Sequence, residues 1–346
     1  MKRFFICMMI IAVICTLIPI HAAAYSNSSY EYAVLYDNTV MIISYHGYYT
    51  DVNIPSHLYA DGRELPVSTI GQWAFQNCDH IKSVVIPDTV TTIRQGAFRG
   101  CTNLTSITVP DSVTYIGRSA FYDTDLQNLP EDEDFVYIGK VAYYYKGDYN
   151  YADVTFKDGT LGIAGGIFYV SKFAGPRSVV IPDSVKTIGD WAFRGCSVLE
   201  NVQMGNGVER IEEAAFANCG SLTRIVLPSS TRYLYADSFE GCINLTLYSK
   251  EPAIQNYAET HGIPFVLLSD DDPDVMLGDV DNDGVVSVLD ATRIQKYKAS
   301  IIKENEIILS AADVDGDGFV TVMDATRIQK FKAQIMNLDG STPYVG

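Results

Sequence analysis

The stretch SVVIPDSVKTIGDWAFRGCSV, residues 178–198, decides the fold, because its pattern recurs along the chain. Two variants of it are LTSITVPDSVTYIGRSAFYDTD (104–125) and LTRIVLPSSTRYLYADSFEGCIN (222–244). Each copy is too short to bury its own apolar face, so the copies must stack on one another. The repetition therefore predicts a solenoid.

Phenylalanine sets the period of the repeat. Two runs of phenylalanines are spaced by 23 residues: Phe75, Phe98 and Phe121, then Phe193, Phe216 and Phe239. Phe168 extends the second run, 25 residues before Phe193. Strand positions such as Leu104, Ile107 and Val109 follow the L-x-x-L-x-L spacing of leucine-rich repeats. We expect these side chains and the phenylalanines to point inward and to stack from one rung to the next.

These repeats resemble the BspA-like (Treponema-type) leucine-rich repeat family, whose units read like IPDSVKTIGDWAFRGC, residues 181–196. The resemblance implies a solenoid of short parallel strands joined by turns and short helices. YEYAVLYDNTVMIISYHGYYTDVNIP (30–55) resembles the family's N-terminal cap, and AIQNYAETHGIPFVLL (253–268) resembles its closing helix and strand. We therefore assign residues 25–267 to the repeat domain.

The rhythm breaks near the middle of the chain, where FVYIGKVAYYYKGDYNY (135–151) alternates apolar residues around Gly139 and Lys140. This pattern predicts a β-hairpin insertion over about 131–152. The preceding EDED, residues 131–134, could be read as paired catalytic carboxylates, but a solvated acidic loop is the favoured interpretation.

Residues 1–24 have the features of a secretory signal peptide. Lys2 and Arg3 precede a short apolar run, and three alanines then predict cleavage between Ala24 and Tyr25. A retained membrane anchor is the weaker alternative, and no second apolar run is long enough to span a bilayer. We expect an exported protein without membrane insertion after cleavage.

The formal net charge of −17 bears on the partners of the chain. Nucleic acid and anionic membrane surfaces both require a basic face, which this composition does not favour. We therefore expect neither as a partner.

The cysteines follow the repeat. Two of the seven, Cys7 and Cys15, lie in the predicted signal peptide. The others are Cys78, Cys101, Cys196, Cys219 and Cys242. Their spacing is not that of a metal clip, and an odd number cannot pair fully. We predict buried thiols that fill the core and act neither as ligands nor as nucleophiles.

A second motif is written twice near the C-terminus: GDVDNDGVVSVLDATRIQKYKA (278–299) and ADVDGDGFVTVMDATRIQKFKA (312–333). Each copy places oxygen ligands at the spacing of a calcium loop. The candidate ligands are Asp279, Asp281, Asp283, Val285, Ser287 and Asp290 in the first copy, and Asp313, Asp315, Asp317, Phe319, Thr321 and Asp324 in the second. Val285 and Phe319, at position 7, would bind through their backbone carbonyls. Carboxylates at about 5 Å repel by about 3 kcal/mol per pair at an effective dielectric of about 20, so each loop needs a cation. Two Ca²⁺ ions are predicted.

Each loop is followed by a helix, and position 12 is Asp where the general EF-hand has Glu. Two such loop–helix units resemble the type I dockerin, which implies a small all-α domain that binds a cohesin module of a scaffoldin. The resemblance places cohesin contacts at Val288, Leu289, Gln295, Lys296, Ser300, Val322, Met323, Gln329, Lys330 and Gln334. The predicted organisation is an acidic linker at 268–277, a dockerin at 278–338 and a tail at 339–346.

A catalytic constellation is not evident in the sequence, which contains no H-E-x-x-H, G-x-S-x-G or P-loop motif. The hairpin tyrosines and two tryptophans, Trp73 and Trp191, are interpreted as packing residues or as surfaces for a partner. We expect a secreted, non-catalytic, cellulosome-type component that a scaffoldin attaches to the cell surface or cellulosome, in the context of polysaccharide breakdown. Its repeats would bind a protein or glycan. The alternative is a dockerin-borne hydrolase or peptidase inhibitor that acts on plant polysaccharide or proteases.

Overall fold

The structure is a computed structural model, and it describes residues 20–127, 129–132, 134–147, 149, 152–169, 174–268, 280, 288–301, 312 and 320–332. The strands in chain order are β1 (Ile20–Ser26), β2 (Tyr30–Leu35), β3 (Val40–Tyr45), β4 (Asp51–Asn53), β5 (His57–Ala60), β6 (Arg63–Ile70), β7 (Ser83–Val85), β8 (Thr92–Ile93), β9 (Ser106–Thr108), β10 (Tyr115–Ile116), β11 (Phe135–Ile138), β12 (Val141–Tyr145), β13 (Asp153–Thr155), β14 (Gly162–Ile163), β15 (Ser178–Val180), β16 (Thr187–Ile188), β17 (Asn201–Gln203), β18 (Arg210–Ile211), β19 (Arg224–Val226), β20 (Tyr233–Leu234), β21 (Thr246–Ser249) and β22 (Phe265–Leu267). The helices are α1 (Pro252–His261), α2 (Val288–Lys298) and α3 (Val322–Lys332).

Two compact units divide the chain. The first unit comprises Met1–Leu199, Gly205–Ser221 and Ser230–Asn244, and the second comprises Glu200–Met204, Leu222–Ser229 and Leu245–Gly346. In the first unit a seven-stranded sheet has the order β1-β2-β3-β6-β8-β10, with β5 paired to β6, and a six-stranded sheet has the order β11-β12-β14-β16-β18-β20. Strands β4, β7 and β9 form a separate parallel sheet, and β13 pairs with β15. The predicted solenoid of short parallel strands is confirmed.

In the second unit, β19, β21 and β22 form a parallel sheet. Helix α1 begins with Pro252, whose missing N–H is not needed at a helix start, and it ends at Gly262 in a left-handed conformation (φ 66°). The N–H of Ile263 donates to the carbonyl of Ala258 at 2.9 Å, which closes the helix. The closing helix and strand predicted at 253–268 are therefore present.

The phenylalanines stack as predicted. Ring centroids lie 4.8 Å apart for Phe75 and Phe98 and 5.2 Å apart for Phe98 and Phe121. In the second run, the spacings from Phe168 through Phe193 and Phe216 to Phe239 are 5.3, 5.0 and 5.5 Å. The planes of these stacked pairs differ by no more than 20°, so each ring packs face to face on the next.

Residues in the left-handed region recur two positions before and two positions after the phenylalanine of a repeat turn, and the turns of Phe75, Phe98, Phe121, Phe193 and Phe216 have both. The earlier position is occupied by Trp73, Gly96, Ser119, Gly166, Trp191 and Ala214, with φ between 50° and 67°. The later position is occupied by Asn77, Gly100, Asp123, Gly195, Asn218 and Gly241, with φ between 58° and 76°. Gly, Asn and Asp tolerate this conformation well, which explains why they recur after the phenylalanine.

The predicted hairpin is confirmed as β11 and β12, which pair antiparallel around Gly139 and Lys140. It is part of the array, since β12 pairs in parallel with β14. The hairpin also enters the aromatic stack: Phe121 meets the edge of Tyr143, and Tyr145 packs against Phe168 with centroids 5.0 Å apart.

The hairpin repeats the architecture of the N-terminal cap, a correspondence that the sequence pattern does not predict. In the cap, β2 and β3 are antiparallel and β3 continues in parallel to β6. Tyr45 stacks on Phe75 at 4.9 Å, as Tyr145 packs on Phe168. A Cβ atom on Gly47 or Gly147 would overlap the ring of the tyrosine two residues before it. The chain therefore builds the same cap twice.

The thiols have a more specific role than filling space. Cys101 donates to the carbonyl of Phe75 at 3.0 Å, Cys219 to Phe193 at 3.2 Å and Cys242 to Phe216 at 3.0 Å. Each of these thiols therefore bonds to the backbone of the preceding phenylalanine rung.

The five cysteines that the structure describes are free, and four of them are buried. Cys78 is half-buried, so the prediction that every thiol is buried was wrong at this position. Cys78 belongs to the first phenylalanine rung, and its thiol donates to the Gln76 carbonyl at 4.0 Å rather than to the carbonyl of an earlier phenylalanine.

Candidate functional sites: the paired helices and the repeat surface

Helices α2 and α3 pack against each other through small and branched side chains. Ala291 and Ile294 of α2 and Ala325 and Ile328 of α3 are fully buried. These residues occupy the same places in the two copies of the duplicated stretch, so the copies contribute equivalent faces to one small core.

The start of α3 brings two predicted calcium ligands together. Asp324 Oδ2 accepts hydrogen bonds from the backbone N–H of Thr321 at 2.7 Å and from its hydroxyl at 3.0 Å. The hydroxyl oxygen of Thr321 in turn accepts the N–H of Met323 at 3.0 Å. This reciprocal pattern is a capping box, which satisfies N–H groups that have no partner inside the helix.

Asp290 holds the equivalent place in the first copy. Its Oδ1 accepts the N–H of Val280 at 2.8 Å, which ties the beginning of the loop to the first turn of α2. The side chains of both Asp290 and Asp324 are fully buried. Carboxylate and hydroxyl oxygens at these places suit a hard cation such as Ca²⁺. The other predicted ligands lie outside the described residues: Asp279, Asp281, Asp283, Val285, Ser287, Asp313, Asp315, Asp317 and Phe319.

The end of α2 is fixed by its own backbone. Ser300 takes a left-handed conformation (φ 55°), and its N–H donates to the backbone carbonyl of Tyr297 at 2.9 Å. The N–H of Ile301 donates to the backbone carbonyl of Lys296 at 2.9 Å. The two bonds form a Schellman motif, with serine at the position where glycine is usual. The helix therefore stops at a defined residue.

The outer faces of the two helices carry exposed apolar side chains. Leu289, Val322 and Met323 are 62%, 56% and 60% exposed. The other predicted cohesin contacts with described side chains are also exposed, namely Gln295, Lys296, Ser300 and Gln329. Val288 and Lys330 lie in α2 and α3, and Gln334 lies outside the described residues. Exposed large apolar groups beside polar ones are typical of a docking surface.

The exposed positions of the repeat strands are mostly polar, although Val85 in β7 is 43% exposed. Eight polar residues in or next to these strands are not buried: Thr105, Ser106, Thr108, Glu200, Asn201, Gln203, Thr223 and Arg224. This mixed surface points to no single ligand chemistry.

The acidic loop before the hairpin is structural. Asp132 Oδ1 accepts the backbone N–H groups of Asp134 and Phe135 at 3.0 and 2.7 Å, which caps the turn into β11. Glu131 pairs with Lys146 at 3.3 Å. These contacts agree with the interpretation of a solvated loop.

The aromatic residues singled out in the sequence mostly pack within the protein. Tyr145 is buried, and its carbonyl accepts the hydroxyl of Tyr149 at 2.8 Å. Trp191 is covered by two guanidinium groups, with Arg118 Cζ at 3.6 Å and Arg194 Cζ at 4.3 Å from its ring centroid. Its ring is therefore engaged by the protein's own cations.

Comparison with known families assigns both parts of the chain. The BspA type leucine rich repeat region, in six copies, matches residues 18–150, 68–175 and 163–259. The dockerin type I domain matches residues 277–331. None of the curated proteins compared with the chain matches it. Among the described residues, no helix has both the length and the apolar character needed to cross a membrane.

Several solved bacterial structures are similar to the chain. A leucine rich cell surface protein from Faecalibacterium prausnitzii A2-165 is 21% identical, with a TM-score of 0.30, over 65% of this chain and 88% of that chain. The T. pallidum leucine rich repeat protein is 27% identical, with a TM-score of 0.32, over 58% and 91%. A leucine-rich repeat protein from Bacteroides ovatus ATCC 8483 is 19% identical, with a TM-score of 0.30, over 71% and 100%.

The family matches, the stacked rungs and the paired helices agree with one another. The chain belongs to the BspA type leucine rich repeat family and carries a C-terminal type I dockerin domain.

Proposed function

We propose that the chain is a secreted, non-catalytic recognition module that docks on a scaffoldin. In this proposal the dockerin binds a cohesin module, and the leucine-rich repeats hold a protein or polysaccharide ligand beside the complex. The observation that carries the proposal is the dockerin type I match over 277–331. Repeats and dockerins are both non-catalytic families, which agrees with the proposed role.

Calcium is the cofactor of this proposal, with one ion in each loop. Asp290 would close the first loop, and Thr321 and Asp324 would close the second. The ions would neutralise the clustered carboxylates of the loops. Because Asp290 and Asp324 also lie in the first turns of α2 and α3, ordering the loops would set the positions of the two helices.

The proposed cohesin surface consists of the exposed residues of both helices. The apolar side chains of Leu289, Val322 and Met323 would supply the buried centre of the contact, since contact energy concentrates where water is excluded. The polar residues around them, such as Gln295 and Gln329, would form its rim.

A binding experiment tests this function. The full chain is passed over immobilised cohesins from its own source organism with Ca²⁺ present, and again after chelation with EDTA. We expect binding to at least one cohesin that is lost on chelation. A Leu289→Ala, Met323→Ala double variant should bind more weakly, while Tyr59→Ala, on an exposed residue of the repeat domain, should bind as the unmodified chain does. No binding to any of these cohesins in Ca²⁺ would contradict the proposal.

The non-catalytic part has its own test. The chain is incubated with a panel of plant polysaccharides and with peptidases and their substrates. We expect neither release of reducing sugar nor inhibition of a peptidase. Hydrolysis that survives repurification would instead support a dockerin-borne enzyme.

A further inference from the structure

A depression of about 380 Å³ lies in the N-terminal cap, beside the turn between β1 and β2. We call it the cap pocket, and the residues that matter for its chemistry are Ser28, Tyr30, Tyr45, Tyr49, Asp51 and Asn53. Ligand sites commonly occupy about 300–1,000 Å³, so the cap pocket is at the small end of that range. A pocket of this size can hold a small part of a larger ligand, such as one end of a polymer chain.

The floor of the cap pocket is held in place by the fold. Tyr30 and Tyr45 are buried, with ring centroids 5.4 Å apart. Asn27 Oδ1 accepts the N–H groups of Ser29 and Tyr30 at 2.9 and 2.8 Å, which fixes the turn. The carbonyl of Ser29 accepts the N–H of His46 at 2.8 Å, which holds the turn against the end of β3. A ligand would therefore meet a preformed surface.

The rim of the cap pocket is open and rich in hydrogen-bonding groups. Tyr49 is 70% exposed, and Ser28 and Asn53 are exposed beside it. Together they offer an aromatic face, a hydroxyl and an amide, which can contact apolar and polar parts of one ligand at once. A sugar ring has this combination, because it presents a face of C–H groups and an edge of hydroxyl groups.

Among the described residues, Asp51 is the one charged residue that lines the cap pocket. Its carboxylate accepts hydrogen bonds from the hydroxyls of Ser83 at 2.5 Å and Thr50 at 3.0 Å. These hydroxyls lower the pKa of Asp51 below its usual value, so it stays ionised and can accept bonds from ligand hydroxyls. A pocket whose described lining has a carboxylate and no cation disfavours acidic sugars, as does the net charge of −17.

Tyr49 differs from Trp191 and Tyr122 in what covers its ring. Arginines stack on Trp191 and on Tyr122, where Arg99 Cζ lies 4.8 Å from the ring centroid. Within the described residues, no such cation lies over Tyr49. Its exposed ring at the pocket rim can therefore face a ligand without displacing a cation.

We infer that the cap pocket binds a neutral sugar unit of a polysaccharide. Tyr49 stacks on the sugar ring, and Asp51 and Asn53 bond to its hydroxyls. The inference rests on the proposed function, in which the repeat domain recognises a ligand, and it specifies the class of that ligand.

The test is calorimetric titration of the full chain with xylohexaose, cellohexaose and mannohexaose, each at up to about 10 mM, a concentration at which even weak sites fill. We expect at least one to bind. Tyr49→Ala should weaken it at least about tenfold, and Asn53→Ala should weaken it severalfold, whereas Tyr49→Phe should retain binding. Tyr59→Ala is the matched control, because Tyr59 is an exposed cap tyrosine (63%) outside the pocket lining, and it should bind normally.

Three outcomes overturn the inference: no binding of any of the three sugars, binding that Tyr49→Ala leaves unchanged, or saturable binding of a protein at the cap pocket with no sugar bound. Thermal melting of each variant shows whether a loss of binding is a loss of fold. Cohesin binding is measured on the same preparation. If cohesin binds and sugars do not, this inference fails alone; if sugars bind and cohesin does not, the docking part of the proposed function fails.

Discussion

Arg118 and Asp190 are 72 positions apart in sequence, yet Arg118 Nε donates to Asp190 Oδ2 at 2.5 Å. The hydroxyl of Tyr115 donates to the other carboxylate oxygen at 2.7 Å. The contact joins the last rung before the hairpin to a rung after it, and so bridges the interruption in the repeats. Burial raises the pKa of Asp190, while the bonds from Tyr115 and Arg118 favour its ionised form.

The first prediction concerns this pair. Asp190→Ala should lower the free energy of unfolding by about 2–3 kcal/mol, because it leaves Arg118 largely buried without its carboxylate partner. The control is Asp153→Ala, whose pair with Arg177 is about half exposed and should cost no more than about 1 kcal/mol. Urea unfolding followed by tryptophan fluorescence measures both. If the two variants lost equal free energies of unfolding, the buried pair of Arg118 and Asp190 would stabilise the protein no more than an exposed ion pair does.

The second prediction concerns a close approach in the first repeat turns. The ring of Trp73 lies where a Cβ on Gly96 would be, and Gly96 has φ 62°. Gly96→Ala should destabilise the protein by more than the roughly 1–2 kcal/mol that the left-handed conformation alone costs an alanine. Gly62→Ala is the control, since Gly62 has φ 78° but open space around it. Thermal melting should place Gly96→Ala clearly below Gly62→Ala, and the reverse order would contradict the packing described.

The third prediction concerns the thiols. Burial raises the pKa of Cys101 and Cys196 to about 12, so at pH 8 only about one such thiol in ten thousand is ionised. Half-buried Cys78 should therefore react before Cys101 and Cys196 with iodoacetamide in the native mature protein. Mass spectrometry of labelled peptides checks this order, and Cys78→Ser should abolish the fast phase. Fast labelling of Cys101 would contradict the burial of the thiols next to the stacked phenylalanines.

The fourth prediction concerns metal. Calorimetric titration of the decalcified chain should give two Ca²⁺ ions per chain, and Asp324→Ala should reduce this to one. Thr321→Ala should weaken the second site and also lower the stability of α3 by about 1 kcal/mol through loss of its cap. A stoichiometry of two that survives Asp324→Ala would remove this residue from the proposed site.

Much of the fold could be predicted because it is periodic. The 23-residue spacing of Phe75, Phe98 and Phe121 specifies which side chains stack, since a repeat places equivalent residues in equivalent environments. The hairpin turn at Gly139 and Lys140 was also predictable, because its signal is local. For the same reason, the duplicated loop motif indicated that Asp290 and Asp324 are special, and both are buried at the start of a helix.

The remaining features arise from contacts between distant parts of the chain. Nothing near Asp190 in the sequence indicates that Arg118 pairs with it. The bond from Cys101 to the Phe75 carbonyl depends on the offset between rungs, which the spacing of cysteines alone does not give. The cap pocket combines residues of several segments, and its signal in the sequence is only the tyrosine-rich stretch around Tyr49.

The duplicated cap also bears on how such a chain can change over evolutionary time. A solenoid that has caps only at its two ends must keep both caps whenever a repeat is gained or lost. Here Tyr145 and Gly147 begin the second run of stacked aromatic rings, much as Tyr45 and Gly47 begin the first. Each run of repeats therefore has its own cap at its N-terminal end. Lengthening, shortening or exchanging one stretch should then leave the start of the other intact, which gives the protein two surfaces that can diversify separately.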